Sequence, residues 1–225
     1  QHLASLPNGG QNALGTNWDA GDIMYKDLNG DGKIDNGGNK YDDMGDMKKI
    51  GNNTPRYLFG LDLNADYKGF DFRAFFQGVM KRDYWQGSAY FWGATSLWHS
   101  TGFVEHADYF RAEASNDLPA NLNAYYPRPV FDSSKNRQRQ TAYLQSAAYI
   151  RLKNVQLGYT LPANLTHKFY VSKLRVFVSG ENLWTGTSLA NMFDPETIGG
   201  GDDTDKNGNA YPLSKTISFG ISVTL

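Results

Sequence analysis

The chain contains no cysteine, which removes disulfides, thiolate metal sites and cysteine nucleophiles and suits an exported protein. It has no surplus of positive charge either. Lysine and arginine number 22 against 23 aspartates and glutamates, whereas a nucleic-acid face would need a basic excess. No apolar run reaches the length of about 18 residues that a spanning helix requires. Catalytic constellations are missing too: His2, His99, His106 and His167 lie scattered, and neither H-E-x-x-H nor G-x-S-x-G occurs. Asp194-Pro195-Glu196 offers two carboxyls, but carboxylates that close together at the start of a loop read as turn formers. The opening Gln1-His2-Leu3-Ala4 has neither an initiator methionine nor a signal-peptide pattern, so a fragment or a processed product is expected.

What is present is alternation. At the C-terminus Ile217, Phe219, Ile221, Val223 and Leu225 are apolar, and Ser218, Gly220, Ser222 and Thr224 between them are small or polar. Successive side chains of a strand point to opposite faces, so this segment has one greasy and one hydrophilic face. Tyr57 to Tyr67 repeats the pattern with Leu58 as its one misfit, and Lys68-Gly69 then reads as a tight turn. Phe70 to about Lys81 follows, with Phe70, Phe72, Ala74, Phe76 and Met80 opposite Asp71, Arg73, Gln77 and Lys81. A third run spans Ala148 to Leu161, where the apolar phase slips at Lys153-Asn154 and predicts a β-bulge. A fourth, Lys173 to Trp184, sets Leu174, Val176, Val178 and Trp184 against Arg175, Ser179 and Glu181. Helical stripes are scarce, so the chain reads as all-β and antiparallel.

The connections alternate in length. Lys68-Gly69 and Pro162 to Ser172 are short; about Arg82 to Gln145 and Thr185 to Pro212 are long. Outer-membrane barrels have short periplasmic turns and long outer loops, and parity from a periplasmic C-terminus puts both long loops, and the polar Asp22 to Asn53 segment, outside. Five strands cannot close a membrane barrel, for which eight is the minimum; left open, the sheet would show two unpaired edges. The expectation is therefore a loop region over residues 1–53, about five barrel strands over 54–225, and further strands supplied from elsewhere, most simply the N-terminal part of the same polypeptide. The alternative is a secreted, calcium-stabilised β-sandwich that binds glycans. In it the apolar row would be a core rather than a surface.

Two clusters carry candidate chemistry. Asp27-Leu28-Asn29-Gly30-Asp31-Gly32-Lys33-Ile34-Asp35 spaces oxygen donors as a Ca²⁺ loop does: side chains from Asp27, Asn29 and Asp31, the carbonyl of Lys33, and Asp35 directly or through water. The position of the bidentate glutamate falls on Gly38, so this is not an EF-hand. Asp203 to Gly208 shares half the spacing and reads as a plain loop. The aromatic residues Trp85, Tyr90 and Trp92, within the cluster Tyr84 to Trp98, are candidates for contact with a substrate or partner, with packing of the long loop as the competing account.

Taken together, the motifs resemble the C-terminal part of a SusC/RagA-type TonB-linked outer-membrane transporter. The matching stretches are Gly21-Asp22-Ile23 with Tyr25 to Asp35, Ile50-Gly51-Asn52 with Thr54-Pro55-Arg56, Tyr149 to Tyr159, Leu174 to Leu183, Asp194-Pro195-Glu196, and Tyr211-Pro212 with Lys215 and the closing strand. The resemblance implies a plugged barrel of about 22 strands in the outer membrane of a Gram-negative bacterium, importing oligosaccharides or peptides with energy from TonB. It implies a SusD-like lipoprotein as partner, outer-membrane lipid around the barrel, and a plug and TonB-contact segment in the N-terminal portion of the protein. Leu225 departs from the aromatic residue usual at the end of the family.

Overall fold

The computed structural model describes residues 10–93, 95–98, 102–115, 117–199 and 210–225. The chain divides into two compact units: residues 10–51 with 86–144, and residues 52–85 with 145–199 and 210–225.

The second unit is built on an antiparallel sheet. Its strands are β1 (Arg56–Tyr67), β2 (Phe70–Lys81), β5 (Tyr149–Thr160), β6 (Lys173–Thr187) and β7 (Thr216–Thr224), side by side in the order β1-β2-β5-β6-β7. Two short strands, β3 (Asp83–Trp85) and β4 (Leu144–Ser146), form a separate pair. Lys68 at φ 47° and Gly69 at φ 89° make the β1–β2 turn, the left-handed pair that matches the twist of a hairpin. The alternation read from the sequence becomes register. Ala65, Phe72, Leu157, Val178 and Phe219 stand opposite one another across all five strands, and Tyr67, Phe70, Tyr159, Val176 and Ile221 form the next apolar row. On the other side of the first row runs one of opposite character, Asn64, Arg73, Gln156, Ser179 and Ser218.

The predicted bulge is present. Phe75 and Phe76 face Asn154 and Leu152, leaving Lys153 without a partner on β2. Against β6, Leu152 and Asn154 pair with Trp184 and Glu181, and Asn182 between them adopts φ 52°. The slip keeps Ile150 and Leu152 on the same face as Val155 and Leu157 by inserting one residue.

The apolar face of this sheet is open. Phe219 is 83% exposed, Ile221 70% and Leu63 46%. Ala74 on this face is buried, but the larger buried side chains of the unit lie elsewhere: Tyr84, Leu189, Phe193 and Ile198, and with them Arg82 and Arg151.

The first unit is mainly loop, with a four-residue helix α1 (Ala89–Trp92). Its core is aromatic. Phe91 is fully buried and meets Tyr126 and Tyr143 edge-on at 5.5 and 6.3 Å, while Trp92 meets Tyr143 at 4.9 Å. Among the described residues no helix is long and apolar enough to cross a membrane.

Candidate functional site

The hydrophilic face of the sheet carries charge in fixed pairs. Arg73 grips Asp62 with two bonds of 3.1 and 2.6 Å. Arg175 on β6 reaches over β5 to bond Asp71 on β2, and Gln156 accepts from it as well. That reach depends on Gly158: a Cβ there would fall onto both Arg175 and Asp71. The glycine leaves the backbone of β5 bare so that the pair can span three strands.

The long segment after β6 returns to this face through one arginine. Arg151, on β5 and 3% exposed, donates from Nε to Thr185 Oγ1 at 2.8 Å, and from its two terminal nitrogens to Glu196 at 2.6 Å and Asp194 at 2.7 Å. Lys153 adds a 3.1 Å bond to Glu196, and the Tyr149 hydroxyl donates to the same carboxylate at 3.1 Å. Asp194 also accepts from the backbone of Glu196 at 2.9 Å and of Leu213 at 3.3 Å. Burial pushes the Asp194 carboxyl up, but the bonds from Arg151 and the Glu196 amide outweigh it and hold the group below the usual carboxylate range. Arg82 donates to the carbonyls of Asn53 and Gly199 at 3.0 and 2.9 Å, so the segment is held at its far end as well.

The first unit has its own buried ion cluster. Asp22, its side chain fully enclosed, accepts from Lys135 at 2.8 Å, Arg128 at 2.7 Å and Asn136 at 2.8 Å. Lys135, also buried, is completed by the carbonyls of Thr16 and Asn17 and lies 4.8 Å from the Trp18 ring. Burial opposes ionisation of Asp22, yet these donors win and bring its pKa down to about 2. Around the aromatic core, burial pushes the Tyr143 hydroxyl up to about 12. A cleft of about 300 Å³ is lined in part by Trp92, Phe103, His106, Tyr126 and Arg128.

The Asp27–Asp35 segment folds as a chain of side-chain-to-backbone turns. Asp27 accepts from the amides of Gly30 and Gly32 at 2.6 and 2.9 Å, Asn29 from Asp31 at 3.0 Å, and Asp31 from Lys33 at 2.9 Å. Asp35 accepts from Gly37 at 2.7 Å and lies 3.6 Å from the Lys33 amine. Among the described residues no group of three acidic or histidine side chains is gathered as a metal would need. The second acidic stretch, Asp203 to Gly208, lies outside the described residues.

The three candidate aromatic residues part company. Trp85 sits in β3 at 9% exposure. Trp92, in α1, donates its indole N–H to the Gln86 carbonyl at 2.7 Å. Tyr90, on the same helix, is 43% exposed and stacks on Phe103 with 6.0 Å between ring centres. Of the three, Tyr90 presents most surface.

Sequence reasoning gave Asp194 and Glu196 only as turn formers and assigned no role to Arg151, Lys153 or the Asp22–Lys135 pair. A signal existed for the first set. Two cations two residues apart on β5 match two anions two residues apart around Pro195. The partnership itself spans more than 40 residues of chain and has no local signature.

No family model matches the chain. TonB-dependent receptor P3 of Formosa agariphila is 29% identical over 212 residues, covering 91% of this chain and 19% of that protein. TonB-dependent receptor P26 of the same organism is 28% identical over 217 residues, covering 91% of this chain and 20% of its own length. The chain thus spans about a fifth of the length of the curated relatives it matches. Among solved structures, the RagAB peptide importer in its open-open state superposes with a TM-score of 0.54 at 27% identity, over 76% of this chain and 17% of that one. The closed-closed state gives a TM-score of 0.56 at 25% identity, over 79% and 18%. Sequence and fold together liken the chain to one part of the SusC/RagA-type TonB-dependent transporters.

Proposed function

We propose that the chain forms part of the wall and outer loops of a TonB-dependent importer in the outer membrane of a Gram-negative bacterium. The observation that carries this reading is the uncovered apolar face of the five-stranded sheet. Burying a large aliphatic or aromatic side chain is worth about 1.5–3 kcal/mol. The exposed side chains of this face therefore forgo on the order of 10 kcal/mol in water, as much as a whole domain's typical stability. Hydrocarbon as the surrounding solvent removes that deficit, and barrel strands alternate apolar and polar residues for this reason. The opposite face, with its paired charges, suits a wet lumen. A sandwich would cover the apolar rows with a second sheet, and their exposure speaks against it.

On this reading β1 and β7 continue into strands supplied by the rest of the protein, closing a large barrel, and the segments 82–145 and 185–212 face outward. TonB supplies energy through the portion of the protein beyond this chain. Oligosaccharides or peptides are the cargo, and a SusD-like lipoprotein is the outer partner. Of the three aromatic candidates Tyr90 is the exposed one and would meet either, while Trp85 and Trp92 serve the fold. The Asp27–Asp35 loop is proposed as an outward-facing Ca²⁺ site, in which the cation would draw Asp27, Asn29, Asp31 and Asp35 from their backbone partners and add the Lys33 carbonyl.

The test is the lipid face. In the full-length protein, Ile221→Arg should abolish heat-modifiable gel mobility of the refolded barrel under conditions where Ser222→Arg retains it. Equal behaviour of the two variants would reject the assignment.

A further inference from the structure

We infer that Arg151 is a positioning residue that clasps the base of the β6–β7 connection and holds residues 188–199 as a fixed shelf on the hydrophilic side of the sheet. Three features of the geometry converge on this one side chain. Its Nε holds Thr185, near the end of β6, and one terminal nitrogen holds Asp194, whose other oxygen accepts from the Leu213 amide just before β7. Both ends of the connection are thereby gathered at one guanidinium. The other terminal nitrogen holds Glu196, which Lys153 and Tyr149 bond in turn. Each of the three guanidinium nitrogens thus bonds a partner, and the planar fork suits two carboxylates as a lysine would not.

The shelf between these points has a small core of its own, with Leu189, Phe193 and Ile198 at 3%, 7% and 8% exposure. A backbone turn from Asp194 to Thr197 and Ile198 closes it, and the Ala190 amide donates to the Gln145 side chain. A free loop as long as this connection would be among the least stable parts of a protein and the first to open. Here its ends are tied at a buried charge cluster, where losing one partner strands the others. Residues 188–199 therefore act as a built wall of the passage rather than as a moving lid. The clasp itself is read from geometry alone; its effect on transport rests on the importer reading.

The test is proteolysis of the full-length protein in its native membrane. Thermolysin cuts before large apolar residues, and mass spectrometry locates any cleavage before Leu189, Phe193 and Ile198. The wild-type shelf should resist. Arg151→Met should raise cleavage at these sites at least roughly tenfold, since cutting follows the population of the open loop, and Arg175→Met, which breaks a different charge pair on the same face, should leave it within about twofold. Should Arg151→Met fail to assemble, the double variant Asp194→Asn/Glu196→Gln opens the clasp from the loop side and should give the same cleavage. The inference is overturned if the wild-type shelf is cut as fast as the variants, or if Arg175→Met exposes it as much. Growth on the imported nutrient reads the transport role separately: a shelf that yields to the variants without any uptake phenotype would retain the clasp and reject its part in transport, whereas unchanged uptake on deletion of the whole protein would reject the importer reading.

Discussion

The two units invert each other's use of polarity. In residues 10–51 and 86–144 the aromatic side chains Phe91, Tyr126 and Tyr143 are inside, as in any protein that folds in water. In the five-stranded sheet the large side chains of the apolar rows are mostly outside, and the most deeply held side chain on the hydrophilic face is Arg151. Water drives the first arrangement. The second is held by strand ladders, and on the proposed importer reading the surrounding medium differs from one face to the other. Both units share one device, an enclosed ion cluster: Asp22 with Lys135 and Arg128, and Arg151 with Asp194 and Glu196.

The sharpest break of this comparison is in the water-built unit. Asp22→Ala leaves Lys135 buried without its carboxylate and should cost about 3–5 kcal/mol, seen as loss of hydrogen-exchange protection over residues 19–25 and 134–137. The same cluster gives a pH signature. Asp22 has a pKa lowered to about 2 in the fold against an ordinary 3.8, so its contribution is complete above that ordinary value and is lost as pH falls through about 2. Protection of residues 19–25 should fall over that window and not above it.

Next comes the face proposed to meet lipid. Ile221→Arg should cost roughly 2–4 kcal/mol near mid-membrane, read as the denaturant midpoint of the refolded full-length barrel, with Ser222→Arg clearly milder. Equal costs would erase the inversion between the units. Smaller still, Gly158→Ala should push apart Asp71 and Arg175 at a cost of about 1–2 kcal/mol in the same denaturation assay, while leaving shelf cleavage unchanged. The smallest effect on stability concerns the Asp27–Asp35 loop. Calorimetry with Ca²⁺ should show heat that the Asp27→Ala/Asp31→Ala variant lacks, and identical traces would reject the cation site.

Strand periodicity makes the sheet legible in the sequence. Tyr57 to Tyr67 and Phe70 to Lys81 match β1 and β2 closely, and the phase slip at Lys153 located the bulge. The shortest strands, β3 and β4, escaped notice because three residues carry no readable period. The reading of Asp194-Pro195-Glu196 as a turn was right for the backbone, since Asp194 does cap a turn at Glu196 and Thr197. It missed the role of the carboxylates, because their partners stand on a strand more than 40 residues earlier. Trp85, Tyr90 and Trp92 looked alike as letters, and burial alone separates them.

The sequence by itself determined which face each strand residue takes, where the hairpin turns, and that one face would be apolar, because side-chain alternation and turn chemistry are local consequences of backbone geometry. Only the tertiary structure decided which charges meet. Arg151 with Asp194 and Glu196, Arg175 with Asp71 across β5, and Asp22 with Lys135 are pairings between residues distant in the chain. Coulombic attraction acts through space and depends on enclosure from water, and neither distance nor enclosure is written in the order of the residues.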